Sequence, residues 1–493
     1  MDRVGPVEPL HRMPTGNRGF DQISMGGLAQ GRTTLLVGTS GTGKTLLATE
    51  ILHRAAMERG CATVLVTFEE KPTDLVRNVA GLGWDLAALE AARKLVILDA
   101  SPDPGVVEEA GPFDLAGLVS QIRDAVREVG ASLVVLDSLG ALFFQFSDSG
   151  VLRREIVALT AALRGMGVTA LLTAERLEEY GPISRFGIEE FVSDCVVVLR
   201  RHLAEEKVRR TIQVYKLRGG EHREHEYPFT IQREGVCILP LSAVELTQPS
   251  AMTRISFGNP RLDEMAGGGL FQDSVILVSG PTGSGKTLLG TTFAAEACRR
   301  GERVLLLGYE ESRPQLVRNA GSWGVDFEGL ENKGLLRMVC QYPEVQGLEG
   351  HLYAIRREIE RFKPTRLVLD SVSALERIGN GRNFREFVIG LTGFVKQQRM
   401  CSLFTSSSPH LSGGDSITDA HISTITDTIV LLRYVEREGS LSRGLIIIKM
   451  RGSQHDKQFH EFRIDGKGLH IGEAFGRVPS ALLGIPSTDG AGS

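Results

Sequence analysis

The sequence predicts an α/β protein made of two tandem domains, each with a mostly parallel sheet flanked by helices. The two halves repeat the same short motifs in the same order. Within each half, short apolar runs alternate with longer amphipathic segments, as in sheets whose strands are joined by helices. The chain of 493 residues is also too long for one hydrophobic core, since cores stop growing near ~250–300 residues.

The motifs of the two halves are separated by a nearly constant offset. LVVLDSLGAL in the first half matches LVLDSVSAL in the second, and YKLRGGEH matches IKMRGSQH. Lys44 and Lys286 are 242 residues apart, and Asp137 and Asp370 are 233 residues apart. A repeat of this length is a whole domain, because the repeats of solenoid proteins have about 20–50 residues.

A polar, proline-bearing stretch over 239–254 separates the halves, and such composition is typical of a linker. The final GIPSTDGAGS is small and polar, as in chain ends without tertiary packing. We therefore expect an N-terminal domain over 1–244, a C-terminal domain over 245–472 and a short flexible tail over 473–493.

Apolar runs in the first half predict the strands, and longer amphipathic segments predict the helices. The predicted strands are Thr34–Val37, Val64–Thr67, Leu95–Leu98, Leu133–Leu136, Ala170–Thr173 and Cys195–Leu199. The predicted helices are Lys44–Arg59, Leu115–Val129 and Leu152–Met166. The runs at Leu133–Leu136 and Leu367–Leu369 lack polar alternation, which indicates central strands covered on both faces.

The composition is that of an ordinary globular protein, with 42% apolar and 24% charged residues. A net charge of −4 gives no global basic field that would draw the protein onto nucleic acid or an anionic membrane, which leaves only a local basic patch as a means of such binding. No apolar stretch reaches the ~18 residues of a membrane helix, and the N-terminus lacks a signal sequence. The six cysteines form no CxxC pair. We expect a cytoplasmic protein with reduced thiols.

Two glycine-rich loops predict ATP binding. GTSGTGKT at Gly38–Thr45 and GPTGSGKT at Gly280–Thr287 both satisfy G-x-x-x-x-G-K-[ST], and each follows an apolar strand. Such loops aim successive backbone N–H groups at one phosphate, and the following helix adds its dipole. The predicted contacts to ATP are Gly41, Thr42, Gly43, Lys44, Thr45 and Leu46, and Thr282, Gly283, Ser284, Gly285, Lys286, Thr287 and Leu288.

Acidic residues at strand ends predict a site for Mg²⁺. Asp137 and Asp370 each end an apolar strand downstream of a glycine-rich loop. A carboxylate in that position lies beside the loop and binds Mg²⁺ in P-loop ATPases, together with the loop threonine. We therefore expect the metal at Asp137 with Thr45, and at Asp370 with Thr287.

Two acidic pairs, Glu69–Glu70 and Glu310–Glu311, follow the strand after each phosphate-loop helix. A carboxylate there can deprotonate a nucleophile that attacks the γ-phosphate. Consecutive residues near a strand end point opposite ways, so we expect one of each pair to act. The alternative is two solvated acids.

Two K-x-R pairs, Lys216 with Arg218 and Lys449 with Arg451, place two cations on one face of a strand. Cations of this kind can stabilise charge on the γ-phosphate of a neighbouring subunit. The alternative is surface charge on an edge strand.

The motifs together resemble those of the KaiC circadian clock family, whose tandem domains are RecA-like P-loop ATPases. The first half contributes VTFEE, LDASPDP, ERLEEYGP, EEFVSD and KLRG. The second half contributes LDEMAGGG, YEESRPQL, FVIGLTGFVKQ, SITDAHISTITDTI and KMRGSQHDK. The resemblance covers roughly residues 10–486, and the SITDAHISTITDT stretch is its most specific part.

The resemblance implies a double-ring homohexamer with ATP at the subunit interfaces. In this family the N-terminal ring hydrolyses ATP, and the C-terminal ring phosphorylates and dephosphorylates its own chain while also hydrolysing ATP. The corresponding acceptors here are Ser423 and Thr424. Glu69 and Glu310 match the general bases, and Glu310 also neighbours Mg²⁺.

The resemblance also implies further nucleotide contacts and partners. The contacts are Lys216, Leu217, Arg218 and His222 in the first ring, and Trp323, Arg443, Lys449, Met450, Arg451, Ser453, His455 and Lys457 in the second. A KaiB-like protein on the first ring is a possible partner. Residues 472–487 resemble a loop that lines the ring pore, and the sequence stops short of the family's longer tail, so we expect no dependence on KaiA.

Other interpretations remain open at this point. From the residues alone, the hydroxyl-rich stretch around Ser423 and Thr424 also fits a threonine-rich edge strand. The chain could be a scaffold whose assembly is gated by ATP, without kinase activity. It could also be a RecA-like DNA-directed ATPase, although the composition offers few aromatic platforms for bases, with 2 Trp and 7 Tyr.

Overall fold

In the computed structural model, the chain divides into two compact units, Met1–Ala243 and Val244–Ser493. The structure describes residues 10–101, 115–140, 149–204, 207–240, 250–407, 422, 424–437 and 440–475. Each unit has a nine-stranded sheet and a separate two-stranded ribbon. The predicted fold class is therefore confirmed: each sheet is mostly parallel and flanked by helices.

The strands of the first unit are β1 (Arg12–Met13), β2 (Leu28–Ala29), β3 (Thr33–Gly38), β4 (Thr63–Thr67), β5 (Leu95–Asp99), β6 (Leu133–Asp137), β7 (Thr169–Glu175), β8 (Cys195–Ala204), β9 (Lys207–Leu217), β10 (Tyr227–Gln232) and β11 (Gly235–Ile238). Its helices are α1 (Arg18–Ile23), α2 (Lys44–Glu58), α3 (Pro72–Ala80), α4 (Leu86–Ala91), α5 (Leu115–Val129), α6 (Ser149–Gly165) and α7 (Glu189–Val192).

The strands of the second unit are β12 (Arg254–Ile255), β13 (Leu270–Phe271), β14 (Val275–Gly280), β15 (Val304–Gly308), β16 (Leu336–Cys340), β17 (Arg366–Asp370), β18 (Cys401–Ser407), β19 (Thr428–Arg437), β20 (Ser440–Met450), β21 (His460–Asp465) and β22 (Gly468–Ala474). Its helices are α8 (Pro260–Met265), α9 (Lys286–Arg299), α10 (Arg313–Ser322), α11 (Phe327–Asn332), α12 (Leu348–Phe362), α13 (Val372–Glu376) and α14 (Gly381–Gln397), with a 3-10 turn at Pro343–Val345.

The two large sheets have the same strand order. In the first unit the order is β11-β10-β9-β8-β3-β7-β6-β4-β5, and the second repeats it as β22-β21-β20-β19-β14-β18-β17-β15-β16. The six strands from β8 to β5 are parallel, and so are the six from β19 to β16. The phosphate-loop strands β3 and β14 therefore lie inside the parallel part of each sheet.

Apolar side chains cover both faces of the first sheet. Leu36 packs with the α2 side chains in one core, and its neighbour Leu35 packs with α5 and α6 in another. The run at Leu133–Leu136 is fully buried between two partner strands, as its lack of polar alternation predicts. Among the described residues, no helix is long and apolar enough to cross a membrane.

The sequence prediction missed the antiparallel part of each sheet. All six predicted strands and all three predicted helices of the first half are present, with ends that shift by a few residues. However, β9, β10 and β11 extend the sheet by antiparallel pairing, and β20, β21 and β22 do the same in the second unit. Because these strands mix charged and apolar residues, they lack the continuous apolar runs of buried parallel strands.

Candidate functional site

The two glycine-rich loops join a central strand to the first turn of a helix. Gly38 ends β3, and a Cβ atom there would lie 2.6 Å from Thr42 Oγ1, so the tight turn requires glycine. Gly43 precedes α2 with φ 103°, and Gly285 precedes α9 with φ 101°, a left-handed conformation that favours glycine. Both loops therefore have the backbone shape that presents N–H groups to a phosphate.

The loop lysines are buried and bound to their own loops. Lys44 Nζ donates to the carbonyl oxygens of Gly38 and Thr39, both at 3.0 Å. Lys286 Nζ donates to Gly280 O at 2.8 Å and to Pro281 O at 2.9 Å. Burial lowers the pKa of Lys44, and the surrounding carboxylates act against this shift. Each ammonium group is thus held at the mouth of the loop, within reach of a bound polyphosphate.

The strand-end aspartates are bound to the loop threonines. Thr287 Oγ1 donates to Asp370 Oδ2 at 2.8 Å, and the Thr45 hydroxyl makes the corresponding bond to Asp137. Burial raises the pKa of both aspartates above the usual range, and these hydroxyl bonds oppose the shift. The predicted metal residues are therefore neighbours in each unit.

These oxygen donors fit Mg²⁺, which prefers a few protein oxygens together with phosphate oxygens and water. The described residues contain no cluster of three or more His, Cys, Asp or Glu side chains that would form an all-protein metal site. Thr45 with Asp137, and Thr287 with Asp370, would hold the ion beside the phosphates. There it would neutralise charge that develops on the transferred phosphoryl group.

Each predicted general base is bound by a serine that the sequence analysis missed. Ser138 Oγ donates to Glu69 Oε1 at 2.8 Å, and Ser371 Oγ donates to Glu310 Oε1 at 2.9 Å. Arg377 Nη1 also lies 3.8 Å from Glu310 Oε1. Both serines directly follow the strand-end aspartates, so the repeated LDS motif was a signal that could have identified them.

The second glutamate of each pair makes a different contact. Glu70 accepts a hydrogen bond from the Asn78 side chain, and Asn319 Nδ2 donates to Glu311 Oε2 at 2.8 Å. Burial raises the pKa of both carboxyl groups. The two members of each pair therefore have different contacts, and in the described part of the chain Glu69 and Glu310 are the members that the strand-end serines bind.

A cleft of about 360 Å³ brings the first-unit residues together. It is lined by Ser40, Gly41, Gly43, Lys44, Thr45, Leu46, Glu69, Glu70, Leu75, Asn78, Val79, Asp137, Ser138 and Glu175. Thr42 does not line it, because its hydroxyl turns inward to Thr39 O at 2.8 Å. The sequence analysis also missed Glu175, which ends β7 beside the loop strand.

The K-x-R pairs lie at the opposite edge of each sheet. β9 runs antiparallel to β8, so Lys216 and Arg218 lie where the parallel strands begin, whereas the phosphate loop lies where β3 ends. Lys216 Nζ donates to Ser193 O at 2.9 Å, and Arg218 Nη2 donates to Phe191 O at 2.8 Å. A six-residue strand spans roughly 20 Å, so these cations cannot reach their own loop.

The second unit repeats this arrangement at the predicted phosphoacceptor. Lys449 Nζ donates to Thr426 O at 2.7 Å, and Arg451 Nη2 donates to Thr424 O at 2.6 Å. Thr424 is exposed, and it corresponds in these contacts to Phe191 of the first unit. Ser423 lies outside the described residues. Arg218 and Arg451 directly follow their strands, so only the lysine of each pair is part of the sheet.

The other predicted contacts are divided between the two edges. Arg443 Nε lies 3.4 Å from Gly283 O of the phosphate loop in the same unit.

Leu217 and Met450 belong to the hydrophobic cores, and Trp323 packs against the second core. Ser453 accepts a hydrogen bond from Arg254 at 2.6 Å. His222 and His455 are half-buried, and Lys457 is exposed, all three just beyond the K-x-R pairs.

Comparison with known proteins gives a consistent result over both units. The model of the KaiC ATPase family matches residues 13–243 and, a second time, residues 255–475. The circadian clock protein KaiC3 of Synechocystis sp. is 52% identical over 484 residues, which cover 97% of this chain and 95% of that protein. The circadian clock oscillator protein KaiC of Synechococcus elongatus is 51% identical over 480 residues, 97% of this chain and 92% of the relative. Because the family model covers both units and the identity extends over nearly the whole chain, this protein belongs to the KaiC ATPase family.

Proposed function

We propose that the chain is a circadian timing protein that forms a double-ring homohexamer and acts on itself. The N-terminal unit hydrolyses ATP, and the C-terminal unit phosphorylates Ser423 and Thr424, removes these phosphates and also hydrolyses ATP. The family membership and the names of the relatives support the timing role. The two units of 1–244 and 245–472 serve as its domains, and the cytoplasm as its compartment.

The chemistry follows from the groups at the phosphate-loop edge. Backbone N–H groups and Lys44 or Lys286 bind the phosphates, and the strand-end aspartate with the loop threonine holds Mg²⁺. Glu69 or Glu310 accepts the proton of the attacking hydroxyl group while Ser138 or Ser371 fixes the orientation of the carboxylate. The attacking oxygen then bonds to the γ-phosphorus, and ADP leaves with the bridging oxygen.

The observation that carries the proposal is the position of Thr424. It lies beside Arg451 at the edge where the strands begin, whereas the phosphate loop of the same unit lies where they end. An acceptor at that edge cannot reach the phosphate loop of its own unit, and we infer that it meets a phosphate on another copy of the chain. A ring of copies brings Thr424, Lys449 and Arg451 of one copy to the phosphate loop of the next.

The two units differ at the acceptor position, which supports a division of labour. Arg218 of the first unit donates to Phe191 O, where Arg451 of the second donates to Thr424 O. Phe191 has no hydroxyl group to accept a phosphate. We therefore assign hydrolysis to the first ring and autophosphorylation to the second, with a KaiB-like protein as a candidate partner of the first ring.

The test is incubation of the purified protein with ATP and Mg²⁺ over a day, followed by phosphosite mass spectrometry. We expect phosphate on Ser423 and Thr424 in the unmodified chain and none in Glu310→Gln, which keeps the shape of the side chain but not its basicity. Steady hydrolysis without phosphorylation would favour the ATP-gated scaffold. Stimulation of hydrolysis by DNA would favour the DNA-directed ATPase.

A further inference from the structure

The two phosphate-loop edges differ in one strand-end residue. In the first unit Gly38 is paired with Glu175 at the end of β7, and in the second unit Gly280 is paired with Ser407 at the end of β18. β7 and β18 each lie between the strand of the phosphate loop and the strand of the Mg²⁺ aspartate. Residues at this strand end therefore face the place where the γ-phosphate is attacked.

The units also differ at the position opposite this strand end, where the change in side-chain size is in the other direction. Gly140 and Ser373 each lie two residues after the serine that binds the general base. A Cβ atom at Gly140 would lie 3.3 Å from Ser138 Oγ, 3.7 Å from Glu69 Oε1 and 4.0 Å from Glu175 Cγ. Glycine at position 140 thus leaves the space between Ser138, Glu69 and Glu175 free of a further side chain.

In the second unit, hydroxyl groups occupy the corresponding space. Ser373 Oγ accepts a hydrogen bond from the backbone N–H of Ser407 at 3.0 Å and lies 2.9 Å from Ser371 Oγ. Ser371 Oγ in turn donates to Glu310 Oε1. The smaller strand-end residue is therefore accompanied by a larger residue opposite, and serine hydroxyl groups, not a second carboxylate, lie between Ser407 and Glu310.

Glu175 also belongs to the cleft of the first unit. It lines that cleft together with Lys44, Glu69 and Asp137. It is thus close to the group that binds the outer phosphates.

We propose that Glu175 is the second hydrogen-bond acceptor for the water molecule that attacks ATP in the first unit. This inference rests on the proposed ATP hydrolysis. Water carries two O–H groups, so Glu69 and Glu175 together can hold both and aim the oxygen lone pair at the γ-phosphorus. A serine or threonine acceptor has one O–H group and needs one base, which Glu310 supplies beside the neutral serines.

The water oxygen forms a bond to the γ-phosphorus, and the bond to the bridging oxygen breaks with its electron pair leaving on ADP. One proton of the water passes to Glu69. The other stays on the phosphate product and donates a hydrogen bond to Glu175. The pair Glu175 and Gly140 therefore favours water as the nucleophile, and Ser407 with Ser373 favours a protein hydroxyl.

The test measures ATP hydrolysis by the full chain carrying Glu310→Gln, so that turnover reports the first unit. We expect Glu175→Gln to lower kcat about 10- to 100-fold, as for loss of a hydrogen bond to a charged group, with little change in KM. Affinity for a fluorescent non-hydrolysable ATP analogue should increase about 2- to 5-fold, because a negative charge beside the phosphates is removed. Glu178→Gln, an exposed residue three positions later, is the matched control.

The outcomes separate this inference from the proposed function. No hydrolysis by the parent Glu310→Gln chain would overturn hydrolysis in the first unit itself. If the parent chain hydrolyses ATP and the kcat of Glu175→Gln is within two-fold of that of Glu178→Gln, only the role of Glu175 would be overturned. Weaker binding of the analogue would also overturn it, since it would indicate a structural or phosphate-binding role.

A reverse exchange tests the same idea in the second unit. In a chain with Glu69→Gln, we expect Ser407→Glu with Ser373→Gly to increase release of inorganic phosphate relative to phosphate transferred to Thr424. An unchanged ratio in this variant would contradict the inference, independently of how Glu175→Gln folds.

Discussion

At the scale of single residues, the proposed general bases are bound by serine hydroxyl groups that the sequence analysis did not identify. Ser138 and Ser371 are buried and donate to Glu69 and Glu310, which are themselves exposed. An exposed carboxylate samples many rotamers, so a single well-placed donor restricts its orientation. The serine therefore acts through the glutamate, as a positioning residue.

Replacing this hydroxyl should impair catalysis more than binding. We expect Ser138→Ala to lower kcat of the first unit about 10-fold and leave KM within two-fold, because the carboxylate loses its orientation. Steady-state hydrolysis in the Glu310→Gln chain measures both constants. Ser132→Ala, an exposed serine just before β6, is the control. An equal loss in both variants would indicate a general effect on folding.

At the scale of elements, β17 of the second unit contains a fully buried arginine. Arg366 Nη2 donates to Glu302 Oε1 at 2.8 Å, Nη1 donates to Ser256 O at 2.9 Å, and the guanidinium group lies 4.9 Å from the centre of the Phe293 ring. The pair joins β17 to the chain that enters β15. A buried charge is tolerated only while its partner remains.

Replacement of Glu302 alone should therefore lower the unfolding free energy more than replacement of both Glu302 and Arg366. We expect Glu302→Ala to lower the unfolding free energy of the second unit by about 3 kcal/mol, and Arg366→Met with Glu302→Ala to recover part of it. Urea denaturation followed by Trp323 fluorescence in a Trp84→Phe chain reports that unit, since the protein has 2 Trp. Glu264→Ala, from an exposed pair with Arg261, should change the value by less than about 0.5 kcal/mol. An equal loss of unfolding free energy in the single and the double variant would contradict this account.

At the scale of the whole molecule, each unit carries groups of the proposed nucleotide site at both edges of its sheet. The phosphate loop lies where the parallel strands end, and the K-x-R pair lies where they begin. β9 pairs antiparallel with β8, and β20 pairs antiparallel with β19. This pairing returns the chain to the edge where the parallel strands begin, and so separates the K-x-R pair from the phosphate loop. In the proposed ring, a second copy completes the site.

Mixed assemblies test whether phosphorylation occurs between copies. We expect copies with Lys286→Ala, which lack the phosphate-binding lysine, to gain phosphate on Thr424 when co-expressed with copies carrying Ser423→Ala and Thr424→Ala. A mass tag distinguishes the two chains by mass spectrometry, and Lys286→Ala alone is the control. A mixed assembly in which Thr424 of the Lys286→Ala copies gains no phosphate would contradict transfer between copies.

The sequence by itself determined the repeat, the parallel core and the phosphate loops. Each depends on local information: GTSGTGKT and GPTGSGKT prescribe a strand, a left-handed glycine turn and a helix, and the apolar runs prescribe buried strands. Helix α5 covers the predicted range, Leu115–Val129.

Only the tertiary structure decided which residues share an edge of the sheet. The contact of Ser371 with Glu310 joins residues 61 positions apart, and Glu175 faces Gly38 across strands that are distant in the sequence. Such contacts depend on strand order and register, which long-range pairing sets and no local pattern contains. For the same reason, only the antiparallel pairing of β20 with β19 shows that Thr424 lies at the end of the sheet away from the phosphate loop of its own unit.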